Sequence, residues 1–243
     1  MKPLVFIISA PSGSGKSTLV NRVRTDIPNL TFSVSYTTRP PRGSERNGLE
    51  YYFVSRDEFE RMISKDEFLE HALVFGNYYG TARRFLREAE SRGTDLLLDI
   101  DVQGAEQVKK KLPEAVSIFI LPPSHDELKR RLERRTRAEE ELRQEKTPAD
   151  VLHATIQKRL DGARREIENY PKYDYILVND RLEDSIEHLE AILACERSKH
   201  AGERPANEQQ LKALADPCLQ ANAHDKLRPI LESFQLIRTP SGK

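Results

Sequence analysis

Residues 3–17, PLVFIISAPSGSGKS, decide the fold. The first seven are continuously apolar and rich in β-branched side chains, as in a strand buried on both faces of a parallel sheet. The next eight follow the phosphate-loop pattern G-x-x-x-x-G-K-[ST], with Ala10 in the first place and Gly15, Lys16 and Ser17 matching. Glycines there let backbone N–H groups turn inward on phosphate oxygens, and the helix that follows adds its positive N-terminal end. Pro11, Ser12, Gly13, Ser14 and Gly15 would line the loop, and Thr18 would continue into the helix. Lys16 would neutralise the outer phosphates, and Ser17 would place its hydroxyl on magnesium. A dinucleotide fold needs G-x-G-x-x-G, but Gly13 and Gly15 are followed by Thr18 where the third glycine would stand. The loop therefore reads as a site for a nucleoside triphosphate.

Three more runs resemble the first: DLLLDI (95–100), VSIFIL (116–121) and YILVN (175–179). Helical patterns lie between them. ARRFLREAESRG ends in a C-cap signal at Gly93, and SHDELKRRLERR opens with Ser124 and Glu127 in a capping-box spacing. RLEDSIEHLEAILA places Leu182, Ile186, Leu189 and Ile192 at near-helical spacing. Strands alternating with helices predict an α/β fold with a parallel sheet.

Lys plus Arg and Asp plus Glu are equal at 39 each, so the 243-residue chain carries no basic excess for coating nucleic acid. No apolar run approaches the roughly 18 residues of a membrane span. The apolar start runs into the phosphate loop rather than into a small-residue cleavage site. Cys195 and Cys218 give no disulfide framework and no cysteine zinc site, which predicts a cytoplasmic protein.

Segments outside the alternation carry their own signals. Residues 37–82 are rich in Tyr, Phe and turn residues, predicting a small β-rich insertion with one helix at 57–65. Within SVSYTTRPPRGSERNG (33–48), Arg39, Arg42 and Arg46 lie among hydroxyls, just before Tyr51 and Tyr52. Guanidinium forks beside phenols grip phosphates or carboxylates, although a surface loop can carry the same residues merely solvated. Beside a triphosphate loop, a second anion site points to phosphoryl transfer onto a phosphorylated acceptor. Residues 126–169 form a charged helical stretch, interrupted near KTPAD, that is expected to bury little apolar surface and to move as an arm. The tail opens with a linker-like KHAGERPANEQQ. It then shows Leu227, Ile230, Leu231 and Phe234 at helical spacing, predicting a helix docked on the body or on another subunit of a homo-oligomer.

SVSYTTRPPRGSERNGLEYYFV, EFLEHALVFGNYYGT, LLLDIDVQG and KRRLERR, in that order, resemble the signature segments of the guanylate kinase family over roughly residues 1–195. The resemblance implies a three-layer phosphate-loop kinase core with a parallel sheet (1–36, 83–125 and 170–198). It also implies a mixed α/β GMP-binding subdomain (37–82) and a helical lid (126–169), leaving 199–243 as a helical extension. The implied reaction is ATP plus GMP, and dGMP, giving the diphosphates, in guanine nucleotide recycling, with magnesium as cofactor and small-molecule substrates as partners. Arg39, Arg42, Tyr51 and Tyr79, with Glu45, match the positions around the GMP phosphate. Ser35, Glu70 and Thr81 match those that read guanine, whose N1–H and N2–H donors suit a carboxylate as adenine's edge does not. Asp99 and Asp101 end a strand, where ligands collect. Both match positions that line the GMP site, with Asp99 assigned to the bridge between magnesium, through water, and the acceptor, and Asp101 to acceptor contacts. Arg131, Arg135 and Arg159 match lid arginines, which with Lys16 and Arg39 form the catalytic set, and Asn179 matches a position beside the adenine. Two departures stand out: Tyr36 where a small residue is usual, with the capacity to reshape the guanine pocket, and a long insertion after Arg135.

Two other classes fit less well. Guanylate-kinase-like interaction modules usually carry a degraded phosphate loop, whereas Gly15, Lys16 and Ser17 are intact. A kinase for a sugar phosphate would have no use for the guanine readers.

Overall fold

A computed structural model describes residues 2–74, 76–143 and 148–237. In chain order the strands are β1 (Val5–Ser9), β2 (Leu30–Phe32), β3 (Tyr36–Thr37), β4 (Tyr52–Phe53), β5 (Phe68–Val74), β6 (Asn77–Ala82), β7 (Asp95–Asp99), β8 (Val116–Leu121) and β9 (Tyr175–Val178). The helices are α1 (Lys16–Asp26), α2 (Arg56–Ser64), α3 (Arg84–Arg92), α4 (Val102–Lys111), α5 (His125–Arg143), α6 (Ala149–Ile167), α7 (Leu182–Ala201), α8 (Glu208–Ala215) and α9 (His224–Ser233). The chain divides into two compact units, one of residues 1–9 and 24–117, the other of residues 10–23 and 118–243.

In the first unit β1 and β2 both run parallel to β7, with Ile8 opposite Asp99 and Phe32 opposite Leu97. All five residues of β1 are buried, as are Leu96–Leu98 of β7, which is why these strands read as unbroken apolar runs. A second sheet has the order β4-β3-β6-β5, in which β3 and β4 are parallel and the other pairs antiparallel. Behind it Phe59, Met62 and Phe68 form a small core, covered by Tyr36 and Tyr78. The Tyr36 ring stacks on Tyr52 at 4.8 Å and meets Phe68 edge-on at 5.9 Å, with the Arg84 guanidinium 5.5 Å from its centroid. Tyr36 thus fills this aromatic cluster. The large ring is accommodated by packing. Gly93 caps α3 in the left-handed conformation at φ 62°, as its sequence position predicted.

In the second unit β8 and β9 pair in parallel, with Phe119 opposite Ile176. Helices α5 and α6 correct the expectation of an arm with little apolar burial. Leu128, Leu132, Ile156, Leu160, Ala163 and Ile167 are all buried, so a one-sided stripe anchors each helix beneath its charged surface. The interruption predicted near KTPAD falls on residues 144–147, outside the described residues; α6 resumes behind Pro148. At the start of α5 the Ser124 hydroxyl accepts the Glu127 N–H at 3.2 Å, while the Glu127 carboxylate accepts from Arg131 Nε at 2.8 Å. Helix α7 runs on through Lys199, a cation favoured in a last turn, to a left-handed Gly202 at φ 68°. The linker-like composition therefore begins later as structure than it does as sequence.

The tail docks within this second unit. Leu219 bridges Tyr175 on the side of β9 away from β8, and Gln220 N–H donates to the Asp174 carbonyl at 3.0 Å. The predicted stripe is buried: Leu227, Ile230, Leu231 and Phe234 are each at most 4 % exposed. Phe234 meets His125 edge-on at 5.4 Å, and Ser233 Oγ accepts the His125 N–H at 3.1 Å, satisfying an otherwise orphaned amide of α5. Arg164 of α6 donates to the Gln235 carbonyl at 3.0 Å. Truncating Leu231 to alanine is expected to lower the unfolding free energy by about 2–5 kcal/mol. Urea denaturation reads this directly, and a loss below about 0.5 kcal/mol would mean that α9 is not seated.

Candidate active site

The phosphate loop leaves β1 and turns at Gly13 and Gly15, whose φ values of 90° and 88° favour glycine. Space makes the same demand. A Cβ on Gly13 would lie 2.9 Å from side-chain atoms of both Leu128 and Leu132, and one on Gly15 would collide with the Asn179 side-chain nitrogen. Two donors from outside the loop meet at one of its atoms. The Ser14 carbonyl accepts from Asn179 Nδ2 at 2.7 Å and from Arg131 Nη1 at 3.3 Å. Since C=O and N–H point oppositely across a trans peptide, this directs the Gly15 N–H away from Asn179. Arg131 also reaches the Asn179 carbonyl through Nη2 at 3.0 Å, while Glu127 holds its Nε. Ser14 Oγ is buried without a hydrogen-bond partner among the described residues, an acceptor and donor left for a ligand. Lys16 opens α1 half-buried, and Ser17 and Thr18 follow with exposed side chains. Pro11 is buried and Ser12 exposed.

Arg131 and Asn179 therefore do more than the sequence suggested: both brace the loop. The Glu127 spacing of four residues to Arg131 would have marked this brace, and Glu127 is an ion-pair centre for Arg130, Arg131 and Arg134. Burial alone would raise the Glu127 carboxyl, but the hydrogen bond from Arg131 outweighs it and holds the group below the usual carboxylate range. Arg135 lies one turn beyond Arg131, exposed. Arg159 of α6 donates to Thr136 Oγ1 of α5 at 3.1 Å, a tie that no spacing in the sequence foretold because the two residues are on different helices.

In the first unit the expected anion residues gather. Arg39, only 6 % exposed, forms a two-pronged pair with Glu45 at 2.8 and 3.0 Å and donates to the Pro40 carbonyl at 2.7 Å. Its guanidinium lies 5.1 Å from the Tyr51 ring centroid, and Tyr51 meets Tyr79 edge-on at 6.0 Å. Burial works against the charge on Arg39 and on Glu45, yet the pair overcomes it: Arg39 is shifted up, Glu45 down. The Arg42 amide donates to Glu45 Oε2 at 2.7 Å, leaving the Arg42 side chain exposed. Burial raises the Tyr51 phenol, with Tyr79 adding to the shift.

A second cluster lies on β5 and β6. Glu70, opposite Thr81 across the strands, is 3 % exposed, and Thr81 is fully buried. Burial pushes the Glu70 carboxyl up to about 7, against the opposing pull of Thr81, and the Asp101 charge adds to the rise. Asp101 N-caps α4, its Oδ1 accepting the Gly104 N–H at 2.8 Å, so this carboxylate also fixes a helix start. Asp99 stands at the C-terminal end of β7. Ser35 is half-buried, and its carbonyl accepts the Tyr52 N–H at 2.9 Å.

A glycine loop on one unit, and on the other an arginine–tyrosine cluster beside a buried carboxylate, define a phosphate-loop kinase of phosphorylated small molecules. The family model described as guanylate kinase matches residues 1–196. A guanylate kinase of Koribacter versatilis (strain Ellin345) is 52% identical over 236 residues, 97% of this chain and 97% of its own. That of Escherichia coli (strain K12) is 44% identical over 215 residues, 87% of this chain and 98% of its own. The crystal structure of guanylate kinase from Anaplasma phagocytophilum superimposes with a TM-score of 0.65 at 35% identity, over 88% of this chain and 96% of that one. The chain belongs to the guanylate kinase family, which consists of ATP:GMP phosphotransferases. The Koribacter match runs past residue 196, so part of the C-terminal extension is shared with that relative.

Replacing Asn179 with alanine removes the shortest bond to the Ser14 carbonyl. The KM for ATP is expected to rise about tenfold with the KM for GMP little changed, as steady-state kinetics with each substrate varied in turn would show.

Proposed function

We propose that this chain transfers the γ-phosphoryl group of ATP in line to a phosphate oxygen of GMP, and of dGMP, in guanine nucleotide recycling. The observation that carries the choice of base is Glu70. A carboxyl group buried to this degree is costly to ionise unless donors meet it. Guanine's N1–H and N2–H are such donors, with Thr81 and Ser35 beside them for O6. Adenine, with an acceptor at N1, would leave the carboxylate unpaired.

Arg39, Arg42, Tyr51 and Tyr79 would hold the acceptor phosphate, with Glu45 orienting the Arg39 fork and Asp101 contributing contacts. The acceptor is already an anion, so the reaction needs positioning and charge neutralisation rather than a general base. Lys16, Arg131, Arg135 and Arg159 would supply positive charge, the last three on a lid of residues 126–169. Pro11 to Thr18 would wrap the triphosphate, and the orphaned Ser14 hydroxyl supports that fit. Asn179 would act next to the adenine as well as on the loop.

The Ser17 hydroxyl and the Asp99 carboxylate are hard oxygen donors of the kind magnesium accepts, Asp99 through water, while the cation keeps most of its shell from water and phosphates. Bound with ATP, magnesium would neutralise charge on the β- and γ-phosphates. Cys195 and Cys218 are free thiols, which suits the reducing cytoplasm.

The direct test is ADP release with ATP and magnesium, comparing GMP, dGMP, AMP, CMP, UMP and ribose 1,5-bisphosphate as acceptors. Turnover restricted to the guanine nucleotides, and reduced at least about a hundredfold by Lys16→Ala, is expected. Turnover with the sugar phosphate would remove Ser35, Glu70 and Thr81 from the base site.

The Glu70 carboxyl gives a pH dependence of known sign. Its folded value near 7 exceeds the ordinary 4.5, so its stabilising contribution is complete below 4.5 and lost as pH rises through about 7. GMP requires the ionised form, so its affinity should rise with pH over the same window and level off above it. Calorimetry on the wild type and on Glu70→Gln separates this from titration of the GMP phosphate, because only the wild type should show the component near pH 7.

A further inference from the structure

We propose that helix α4 sets the position of the Glu70 carboxylate, Gly104 providing the slot that admits it and Gln107 the clamp that fixes its strand. Both are positioning residues for base selection, a role that rests on the reading of Glu70 as the guanine reader. Strand β5 is at the edge of its sheet, so one side of its backbone has no strand neighbour. The Gln107 side chain occupies that side at His71. Its Oε1 accepts the His71 N–H at 3.2 Å, and its Nε2 donates to the His71 carbonyl at 2.7 Å. One amide side chain thereby supplies both bonds that a neighbouring strand would make. On the other side of Glu70, Lys111 Nζ donates to the Leu69 carbonyl at 2.5 Å. Gln107 and Lys111 are four residues apart on α4, so one helix face grips the strand on both flanks of residue 70.

Gly104 lies three residues before Gln107 on the same face. A Cβ there would stand 2.5 Å from Glu70 Oε2 and 3.0 Å from its Cδ. Its backbone is not in the left-handed region that favours glycine, and alanine is the better helix former. Space for the carboxylate is what the position requires. Asp101 completes the ruler by capping the Gly104 N–H, which fixes where α4 begins relative to β7.

The test compares GMP with IMP, which offers N1–H but lacks the exocyclic amine, as acceptors for the full chain and its variants. Gly104→Ala and Gln107→Ala should each raise the KM for GMP about tenfold and lower the GMP-to-IMP ratio of kcat/KM at least about fivefold. The kcat at saturating GMP and the KM for ATP should stay within about twofold. Gly104→Ala should leave the thermal midpoint unchanged or higher, since the atom it meets is the end of a flexible side chain. Gln107→Glu, which keeps the acceptor for His71 N–H and loses the donor, should fall between wild type and Gln107→Ala, and decides the point if the alanine variant fails to fold. A wild-type ratio in both Gly104→Ala and the Gln107 variants, with a lowered ratio in Glu70→Gln, would overturn this inference alone. Equal losses on GMP and IMP, with a lowered midpoint, would reduce Gln107 to a brace of the fold and overturn the clamp. An unchanged ratio in Glu70→Gln would overturn the guanine reading and this inference together.

Discussion

The Ser14 carbonyl is the atom on which the nucleotide loop depends. Two donors converge on it, Asn179 from the end of β9 and Arg131 from α5, and Arg131 is itself held by Glu127 and by the Asn179 carbonyl. A glycine loop left to itself has many conformations, and ordering it is an entropic cost that would otherwise weigh on each nucleotide bound. Here that cost is met within the protein. Arg131 also unites structure and charge, because its guanidinium is planted against the loop, and in the proposed reaction its positive field would reach the phosphates.

The two clusters proposed to hold the acceptor solve opposite electrostatic problems. Arg39 and Glu45 are a buried pair in which each charge answers the other, and bidentate geometry repays their desolvation. Glu70 has no such cation bonded to its carboxylate among the described residues, and burial raises its carboxyl to about 7. The first arrangement keeps the Arg39 fork in place. On the proposed reading, the second would make the base itself the partner that settles the charge, so that binding and recognition become one event.

Much of this was legible in the chain. Continuous apolar runs marked β1, β7, β8 and β9 because strands buried on both faces leave no polar alternation. Gly93, Ser124 and the stripe of α9 announced their elements through local chemistry. What stayed hidden was non-local. Three half-buried residues at β2 carry no pattern long enough to read. The apolar stripes of α5 and α6 were diluted by their charged neighbours, and α8 lay within a composition that resembled a linker. At the site, the residue types of Glu70, Arg159 and Arg131 could be read. The ties of Arg159 to Thr136, of Gln107 to His71 beside Glu70, and of Arg131 to the Ser14 carbonyl could not, because each joins different elements of the fold. Tyr36, conspicuous as a letter, proved to be a packing residue.

The seating of α9 has a consequence for the order of events during synthesis. The first amide of α5 finds its hydroxyl partner in Ser233, 108 residues later. A chain still on the ribosome has the charged helices made but their base uncapped, and the free edge of β9 unbridged by Leu219. Long-range closures of this kind come late in folding. The residues that finish the footing of the arginine-bearing helices therefore emerge long after those helices, so that a chain cut before Ser233 would carry the phosphate loop and Glu70 while α5 stood on an unfinished base.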